Sequence, residues 1–162
     1  MKTSLSVRRI AAAESRELRR SVLRPSMPSG SGQPGEDRPG VVHLGAYDGQ
    51  ALLSACVIFP EPCPWLPGEH AWRLRGMATD PQRRGSGAGT AILHEARRIA
   101  VADGATVLWC LARETAVGFY RRHGWTAFST VFDTDLGPHQ RMWLRLGAEP
   151  ESAPEPARDP AP

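Results

Sequence analysis

Cysteine, lysine and long apolar runs are all scarce in this sequence of 162 residues. The three cysteines, Cys56, Cys63 and Cys110, are odd in number and lack metal-ligand spacing, which predicts reduced thiols and no metal site. No apolar run approaches the roughly 18–20 residues of a transmembrane helix, and the N-terminal stretch lacks the apolar core of a secretory signal. We therefore expect a cytoplasmic protein with no membrane partner.

Lysine occurs only at Lys2, so nearly all of the positive charge is arginine. The formal net charge is +3, and Asp and Glu are interspersed among the arginines. Nucleic-acid binding usually needs a basic patch with interleaved aromatic residues. The charge pattern therefore argues against nucleic acid as the primary partner.

The composition divides the chain into one domain and a tail. Residues 1–147 are long enough to bury a sizeable core. Residues 148–162 are rich in Pro, Ala and acidic residues and contain no large apolar side chain. Such a segment cannot offset its ordering entropy by burial, so we expect a disordered tail.

Hydrophobic periodicity predicts the element order β-α-loop-β-β-β-α-β-α-β-β. Strands that alternate with helices in the second half indicate a mixed α/β sheet with at least one parallel crossover. The clearest hairpin spans 41–60 around an Asp-Gly turn, and Gly76 inside a later strand suggests a bulge or a close backbone approach. The two final strands are expected over 125–135 and 136–146.

Three further segments carry specific expectations. A first helix over 11–24 should bury a face that includes Leu18 and Val22. The Pro/Gly/Ser-rich loop over 25–40 is either a lid or substrate wall, or an insertion without a function. A second helix, from Ser86 to Ala102, has a continuous apolar stripe.

The stretch "QRRGSGAG", residues 82–89 and here named the glycine loop, lies between a predicted strand and that second helix. Glycines let consecutive N–H groups point at one place, and a helix N-terminus adds a partial positive charge. Arg83 and Arg84 add full charges. The pattern predicts an anion site with phosphate as its occupant, the alternative being a glycine-rich turn without a ligand.

Two common phosphate motifs do not fit the glycine loop. A nucleoside-triphosphate loop ends in Gly-Lys-Ser/Thr, and no lysine follows Lys2. A dinucleotide fingerprint has G-x-G-x-x-G after the first strand, whereas the spacing here is G-x-G-x-G after the fourth strand.

Three segments carry a resemblance to a known family. "QRRGSGAG" resembles the acyl-CoA signature of the GNAT superfamily of N-acetyltransferases, and "MATDPQRRGSGAGTAIL" resembles the strand, turn and helix around it. "LWCLARETAVGFYRRHGW" is similar to the next strand and helix, and "GPHQRM" to a late segment of some bacterial members. The resemblance covers roughly residues 3–147 and is strongest over 71–146.

The resemblance implies a mixed sheet whose two central parallel strands, 71–79 and 106–111, splay apart around acyl-CoA. Backbone groups of the first strand would pair with the pantetheine arm, and N–H groups of the glycine loop would hold the pyrophosphate. No metal is implied. The residues assigned to the acyl-CoA site in this way are Met77, Ala78, Thr79, Gln82, Arg83, Arg84, Gly85, Ser86, Gly87, Ala88, Gly89 and Phe119.

The reaction implied is direct attack of a small-molecule amine on the thioester of acetyl-CoA. Tyr120 matches the tyrosine of the family that protonates the leaving thiolate, the alternative being a packed aromatic residue. A backbone N–H at Met77 or Ala78 would stabilise the oxyanion. His139 is a candidate base, because a free imidazole titrates near neutrality. Glu69 and His70, which lie just before the fourth strand, and a water relay are the alternatives.

Recognition of the acceptor is assigned to Arg73, Arg75 and His70, since an arginine can bind a substrate carboxylate. The arginines could equally pair with surface acids. Leu111 stands where related members often carry Asn, which leaves the acyl group and the acceptor open. A longer acyl-CoA, a carrier- or tRNA-bound donor, and a non-catalytic acyl-CoA-binding role are the alternatives. A homodimer is also expected from the resemblance.

Overall fold

A computed structural model describes residues 4–147, and the tail predicted over 148–162 lies outside them. The predicted element order is confirmed except near the end, where two short strands replace one expected strand. The strands and helices are β1 (Leu5–Arg9), α1 (Ala12–Leu23), β2 (Val42–Asp48), β3 (Ala51–Pro60), β4 (Ala71–Thr79), α2 (Ala88–Ala102), β5 (Val107–Arg113), α3 (Val117–Arg122), β6 (Thr126–Ala127), β7 (Phe132–Thr134) and β8 (Gly137–Arg145).

The strands of the described region form a mixed sheet in the order β1-β2-β3-β4-β5-β8-β6, with β7 also paired to β8. The predicted mixed α/β class is therefore confirmed. By contact density the chain divides into two compact units. The first contains the residues up to Pro60 together with Leu74–Arg98, and the second contains Glu61–Arg73 together with the residues from Ile99 onwards.

The first unit is built on the antiparallel strands β1, β2 and β3. The predicted Asp-Gly turn joins β2 to β3, and Gly49 adopts a φ of +60° there. Strands β2 and β3 are buried along most of their length because they carry apolar residues on both faces. Leu44, Leu53, Ile58 and Phe59 are among the most completely buried side chains.

Helix α1 of the first unit buries the face that carries Leu18 and Val22, but the most buried residues of that face are not the apolar ones. Ser15 and Arg19, at helical spacing on the same face, are fully buried, whereas Leu18 and Val22 are only partly buried. The sequence pattern misses these two residues because it counts apolar residues, and an arginine occupies the centre of this face. The Nη2 of Arg19 donates to the carbonyl oxygen of Pro34 at 3.1 Å, which ties α1 to the 25–40 loop.

The second unit contains the parallel pairing that the sequence predicts. Residues Ala71–Arg73 of β4 pair with Val107–Trp109 of β5, and α2 connects the two strands. Strand β5 then pairs along its whole length with β8, in antiparallel register. The apolar stripe of α2, whose residues up to Arg98 belong to the first unit, is buried as predicted, with Ala88, Ile92 and Ala96 at most 1% exposed.

The single strand expected over 125–135 is wrong: it is divided into β6 and β7, which pair with different parts of β8. Ser129 lies at the interruption. Its hydroxyl oxygen accepts a hydrogen bond from the backbone N–H of Arg141 at 2.9 Å, and its carbonyl oxygen accepts one from the side chain of Gln140 at 3.0 Å. These side-chain bonds replace regular pairing there, which breaks the strand.

Aromatic residues fill the core of the second unit. Trp65, Trp109 and Phe128 pack together, with ring centroids about 6 Å apart, and the guanidinium of Arg141 lies 3.7 Å from the Trp65 ring. The indole of Trp109 donates to the carbonyl oxygen of Glu61 at 3.0 Å. The 60–70 loop is therefore held against the sheet by stacking as well as by hydrogen bonds.

Three sequence expectations about composition can be compared with the described region, 4–147. Cys56, Cys63 and Cys110 are buried and form no disulfide. Within 4–147 no helix is long and apolar enough to cross a membrane, and no cluster of three or more His, Cys, Asp or Glu side chains is arranged to hold a metal ion.

Candidate active site

The segment between β4 and α2 starts with a capped turn. The N–H of Asp80 donates to the carbonyl oxygen of Leu53 at 2.8 Å, which fixes the end of β4 against β3. The carboxylate of Asp80 then accepts the N–H of Gln82 at 3.0 Å and begins a short 3₁₀ turn over Pro81–Arg83. An aspartate followed by proline favours this turn, because proline supplies the required φ.

The glycine loop continues from this turn into the first residue of α2. Gly85 and Gly87 have φ angles of +82° and +89°, which residues with a side chain rarely adopt. The hydroxyl oxygen of Ser86 accepts the N–H of Ala88 at 3.3 Å, so Ser86 caps the helix that begins there. The two left-handed glycines wrap the backbone immediately ahead of a helix N-terminus, a geometry that binds anions.

The charges around the glycine loop add to this preference. Arg83 and Arg84 are both exposed. The guanidinium of Arg83 lies 3.7 Å from the carboxylate of Asp48, with both side chains at least one-third exposed. An ion pair this long and this exposed contributes little, so the arginine keeps its affinity for an anion. The loop therefore has the chemistry of a phosphate site.

The end of β4 is held by a side chain of β3. The hydroxyl of Ser54 donates to the carbonyl oxygen of Ala78 at 3.0 Å and lies 2.9 Å from the hydroxyl of Thr79. Ser54 is completely buried. The backbone of Met77–Thr79, which the resemblance assigns to the pantetheine arm, is thus fixed in orientation by a buried polar contact.

Tyr120 is a buried residue of α3, and it contacts a cysteine. Its side chain is 4% exposed and its ring packs against Trp125 with a centroid distance of 5.1 Å. Burial raises the pKa of the Cys110 thiol, and this effect outweighs the lowering by Arg73 and by the hydrogen bond from Tyr120. Cys110 therefore remains a neutral thiol without nucleophilic reactivity, and the phenol of Tyr120 is hydrogen-bonded to sulfur.

Phe119 precedes Tyr120 and packs with two rings. Its ring centroid lies 5.5 Å from that of Tyr120 and 4.8 Å from that of His123. The Nδ1 of His123 lies 2.8 Å from the carbonyl oxygen of Phe119. These contacts orient the last turn of α3, and Phe119 itself is half-buried.

His139 lies in β8 with one ring nitrogen engaged. The residue is 7% exposed, and its Nδ1 is 2.9 Å from the carbonyl oxygen of Gly137 and 3.1 Å from the hydroxyl of Thr134. Because a carbonyl oxygen only accepts hydrogen bonds, Nδ1 carries the proton in the neutral ring. Nε2 then holds the lone pair, which is the tautomer a general base needs.

Two of the residues predicted to bind the acceptor have acidic partners. The guanidinium of Arg73 pairs with the carboxylate of Glu61 at 3.0 Å and lies 4.6 Å from the ring of Trp109. The Nε2 of His70 lies 3.3 Å from the carboxylate of Asp103. These partners give both residues a structural role, and their role in acceptor binding stays a prediction.

The structure distributes the predicted site residues between the two units. Arg75 and all of Met77–Gly89 belong to the first unit, and His70, Arg73, Phe119, Tyr120 and His139 belong to the second. Arg19 was missed by sequence reasoning, because an arginine-rich helix face is typical of a solvated surface. A Cβ atom at Gly76 would lie 2.1 Å from the Nη2 of Arg19, so the close approach predicted at Gly76 is confirmed.

Comparison with known proteins decides which family has this combination of elements. Residues 8–125 match the sequence pattern of the acetyltransferase (GNAT) family. The chain belongs to this family. The family predicted from the sequence is thereby confirmed, and the chain is an acyl-CoA-dependent N-acyltransferase.

Individual relatives agree with this assignment. The enzyme is 32% identical over 144 residues to YitI of Bacillus subtilis (strain 168), described as an uncharacterized N-acetyltransferase, with 88% of this chain and 97% of that protein covered. An acyl-CoA N-acyltransferase from Pseudomonas aeruginosa has a similar fold, with a TM-score of 0.68, 20% identity, and coverage of 87% of this chain and 99% of that chain.

A solved structure with a bound nucleotide also shares the fold. An aminoglycoside 6'-N-acetyltransferase in complex with coenzyme A superposes with a TM-score of 0.67 at 14% identity, covering 90% of this chain and 99% of that chain. At this level of identity the likeness establishes the fold alone.

Proposed function

We propose that this enzyme transfers an acetyl group from acetyl-CoA to the primary amine of a small molecule by direct attack in a ternary complex. The observation that carries the proposal is the glycine loop. Gly85 and Gly87 both have positive φ immediately before α2, and Arg83 and Arg84 flank them. This backbone geometry and charge support binding of an anion at the loop.

The donor set of the loop fits a pyrophosphate. Backbone N–H groups over 84–89 are the ligands, and the two arginines add charge-assisted contacts. Because backbone groups hold the phosphates, the side chains of Ser86 and Ala88 need not contact them. The Ser86 hydroxyl instead caps the helix by accepting the N–H of Ala88. Bound acetyl-CoA supplies an activated acyl carbonyl, and the remaining chemistry belongs to side chains and backbone of this chain.

Three groups perform that chemistry in the proposal. A backbone N–H at Met77 or Ala78 stabilises the negative charge that develops on the carbonyl oxygen, and the buried contacts of Ser54 keep this backbone fixed. Tyr120 donates its phenolic proton to the departing thiolate. The support for this role is the family resemblance of the segment around Tyr120, and the packing of its ring against Trp125 holds the phenol in place.

His139 is proposed as the base that removes a proton from the acceptor amine. Its Nδ1–H is directed to the carbonyl oxygen of Gly137, which leaves the lone pair on Nε2. An imidazole nitrogen with a free lone pair can accept the proton that the attacking amine loses. The acceptor class proposed is a small-molecule amine.

Binding of CoA tests the glycine loop. Gly85 has no neighbouring atom within 4 Å of an added Cβ, so Gly85→Ala adds only backbone strain, about 1–2 kcal/mol, which the loop can relieve by shifting. We expect the Kd for CoA to rise about tenfold or more, because charge-assisted hydrogen bonds to the phosphates are lost. Calorimetric titration measures this change.

Gly68→Ala is the matched control, since Gly68 has a φ of +85° and is also free of neighbours within 4 Å. It should incur a similar loss of stability and leave the Kd for CoA unchanged. Equal affinity of the Gly85→Ala variant and the unmodified enzyme would contradict the proposed phosphate site. Absence of any CoA binding would contradict the proposed function as a whole.

A further inference from the structure

Arg19 is a buried cation with unused hydrogen-bonding capacity. The residue is 2% exposed. Its Nη2 donates to the carbonyl oxygen of Pro34 at 3.1 Å, but Nε and Nη1 have no hydrogen-bond partner within the described residues 4–147. A buried donor without a partner is costly, and a charged one more so. Such an arrangement requires an explanation beyond packing.

The charges near Arg19 do not balance. Glu36 is an acid whose charge acts on Arg19, and its carboxylate is already engaged by the guanidinium of Arg16, at 2.9 Å, and by the N–H of Gln33, at 3.0 Å. Arg24 adds further positive charge. Burial lowers the pKa of the Arg19 guanidinium, an effect opposed by Cys56 and Glu36. Arg16 and Arg24 therefore weaken the compensation that Glu36 gives Arg19, and Arg19 has no ion pair of its own within residues 4–147.

Arg19 also touches the strand that is proposed to hold the thioester. The Nη2, Nε and Cζ atoms of its guanidinium all lie within 2.5 Å of the Cβ position that Gly76 lacks. Gly76 has a φ of +61° and directly precedes Met77 in β4. The unused donors are therefore one residue from the backbone that binds the donor substrate in the proposed function.

The cover over Arg19 is the 25–40 loop, and its attachment is mostly polar. Among residues 25–40 only Gln33 is buried. The loop is tied to α1 by Arg16 with Glu36, by Arg19 with Pro34, and by Arg20, which donates to the carbonyl oxygen of Met27 at 2.9 Å. A segment with so little buried apolar surface opens at low free-energy cost.

We propose that Arg19 is the anchor for a carboxylate of the acceptor, reached when the 25–40 loop opens. This inference rests on the proposed function, and it assigns the acceptor to the amino acids and related amines that carry a carboxylate. A carboxylate is planar and binds a guanidinium through two oxygens. Its negative charge would compensate the buried positive charge of Arg19.

The position of Arg75 agrees with this site. The Cδ of its side chain lies 3.4 Å from the Cβ position of Gly35, in the loop that covers Arg19. Arg75 thus borders the same loop from β4, and it contributes a second positive charge to the region. In the proposed site Arg19 binds the carboxylate directly, and Arg75, for which the sequence predicted this role, assists it.

Paired acceptors test the proposal. Each amino acid of a panel is compared with its own carboxamide, which keeps the amine and removes the negative charge. The measured quantity is the ratio of kcat/KM for the acid to kcat/KM for the amide. We expect Arg19→Met to lower this ratio about tenfold or more, with Arg19→Lys intermediate, since lysine keeps the charge but not the planar fork.

The ratio is independent of the fraction of enzyme that folds, so it can be measured even for a variant that is partly unfolded. Arg98→Met is the control. Arg98 is an exposed residue of α2 that pairs with Glu95, and its replacement removes the same positive charge. The ratio for this variant should equal that of the unmodified enzyme. An unchanged ratio in Arg19→Met, or an unmodified enzyme that uses amines but no carboxylated amine, would overturn the inference.

The same pairs are titrated calorimetrically without acetyl-CoA, which separates this inference from the proposed function. Binding of amino acids that is lost in Arg19→Met supports the carboxylate site even if no acetyl transfer occurs. Failure of acetyl transfer and of CoA binding contradicts the proposed function. Equal binding of acids and amides contradicts the role of Arg19 alone.

Discussion

Replacement of Tyr120 by phenylalanine is expected to lower kcat by about 10²–10⁴-fold, the usual contribution of a positioned general acid. The phenyl ring keeps the packing with Trp125 and removes only the hydroxyl that is hydrogen-bonded to Cys110. The Kd for CoA should change by less than about twofold, because the proposed phosphate site uses the glycine loop. Steady-state release of CoA thiol measures the first quantity and calorimetry the second.

Tyr47→Phe is the matched control, since Tyr47 is the other of the two tyrosines in the sequence. Its hydroxyl donates to the carboxylate of Glu14 at 2.9 Å, in a contact with no assigned catalytic role. It should retain the kcat of the unmodified enzyme. A Tyr120→Phe variant that keeps kcat within about threefold would show that Tyr120 is a packed aromatic residue and not the acid.

Replacement of Gly76 by alanine is expected to lower the free energy of unfolding by about 2–5 kcal/mol. About 1–2 kcal/mol comes from the left-handed backbone, and the rest from overlap with the guanidinium of Arg19. The Arg19 side chain is buried and cannot withdraw without moving the 25–40 loop. Urea denaturation followed by circular dichroism measures the change.

Gly49→Ala separates the two contributions. Gly49 has a φ of +60°, nearly that of Gly76, and no atom within 4 Å of an added Cβ. It should lose only the backbone part, about 1–2 kcal/mol. Adding Arg19→Ala to Gly76→Ala should recover part of the loss, since it removes the overlapping atoms. Equal losses for the two glycine variants would contradict the close contact between Gly76 and Arg19.

The features predictable from the sequence are those set by local periodicity and by glycine. The stripe of α2 and the Asp-Gly hairpin each depend on residues close in sequence, and both are confirmed. The glycine loop was predictable for the same reason, because positive φ at Gly85 and Gly87 needs glycine whatever surrounds it.

The features that escaped prediction depend on contacts between residues distant in sequence. Arg19 is buried because Pro34 and Gly76 surround it, and nothing in the helix sequence distinguishes it from Arg16 or Arg20. Likewise Ser129 breaks a strand only because Arg141 meets its hydroxyl across the sheet. The hydrogen bond between Tyr120 and Cys110 also requires the folded chain.

The most direct test of the account is the balance between CoA released and amine acetylated. The full chain is incubated with acetyl-CoA labelled with ¹³C in the acetyl group and with a panel of primary amines that includes amino acids, and mass spectrometry quantifies free CoA and labelled N-acetyl product. Direct transfer predicts equal amounts of both, with no release of CoA above background when amine is omitted. Labelled acetyl retained on the protein, or bound CoA with no acetylated amine from any member of the panel, would contradict it.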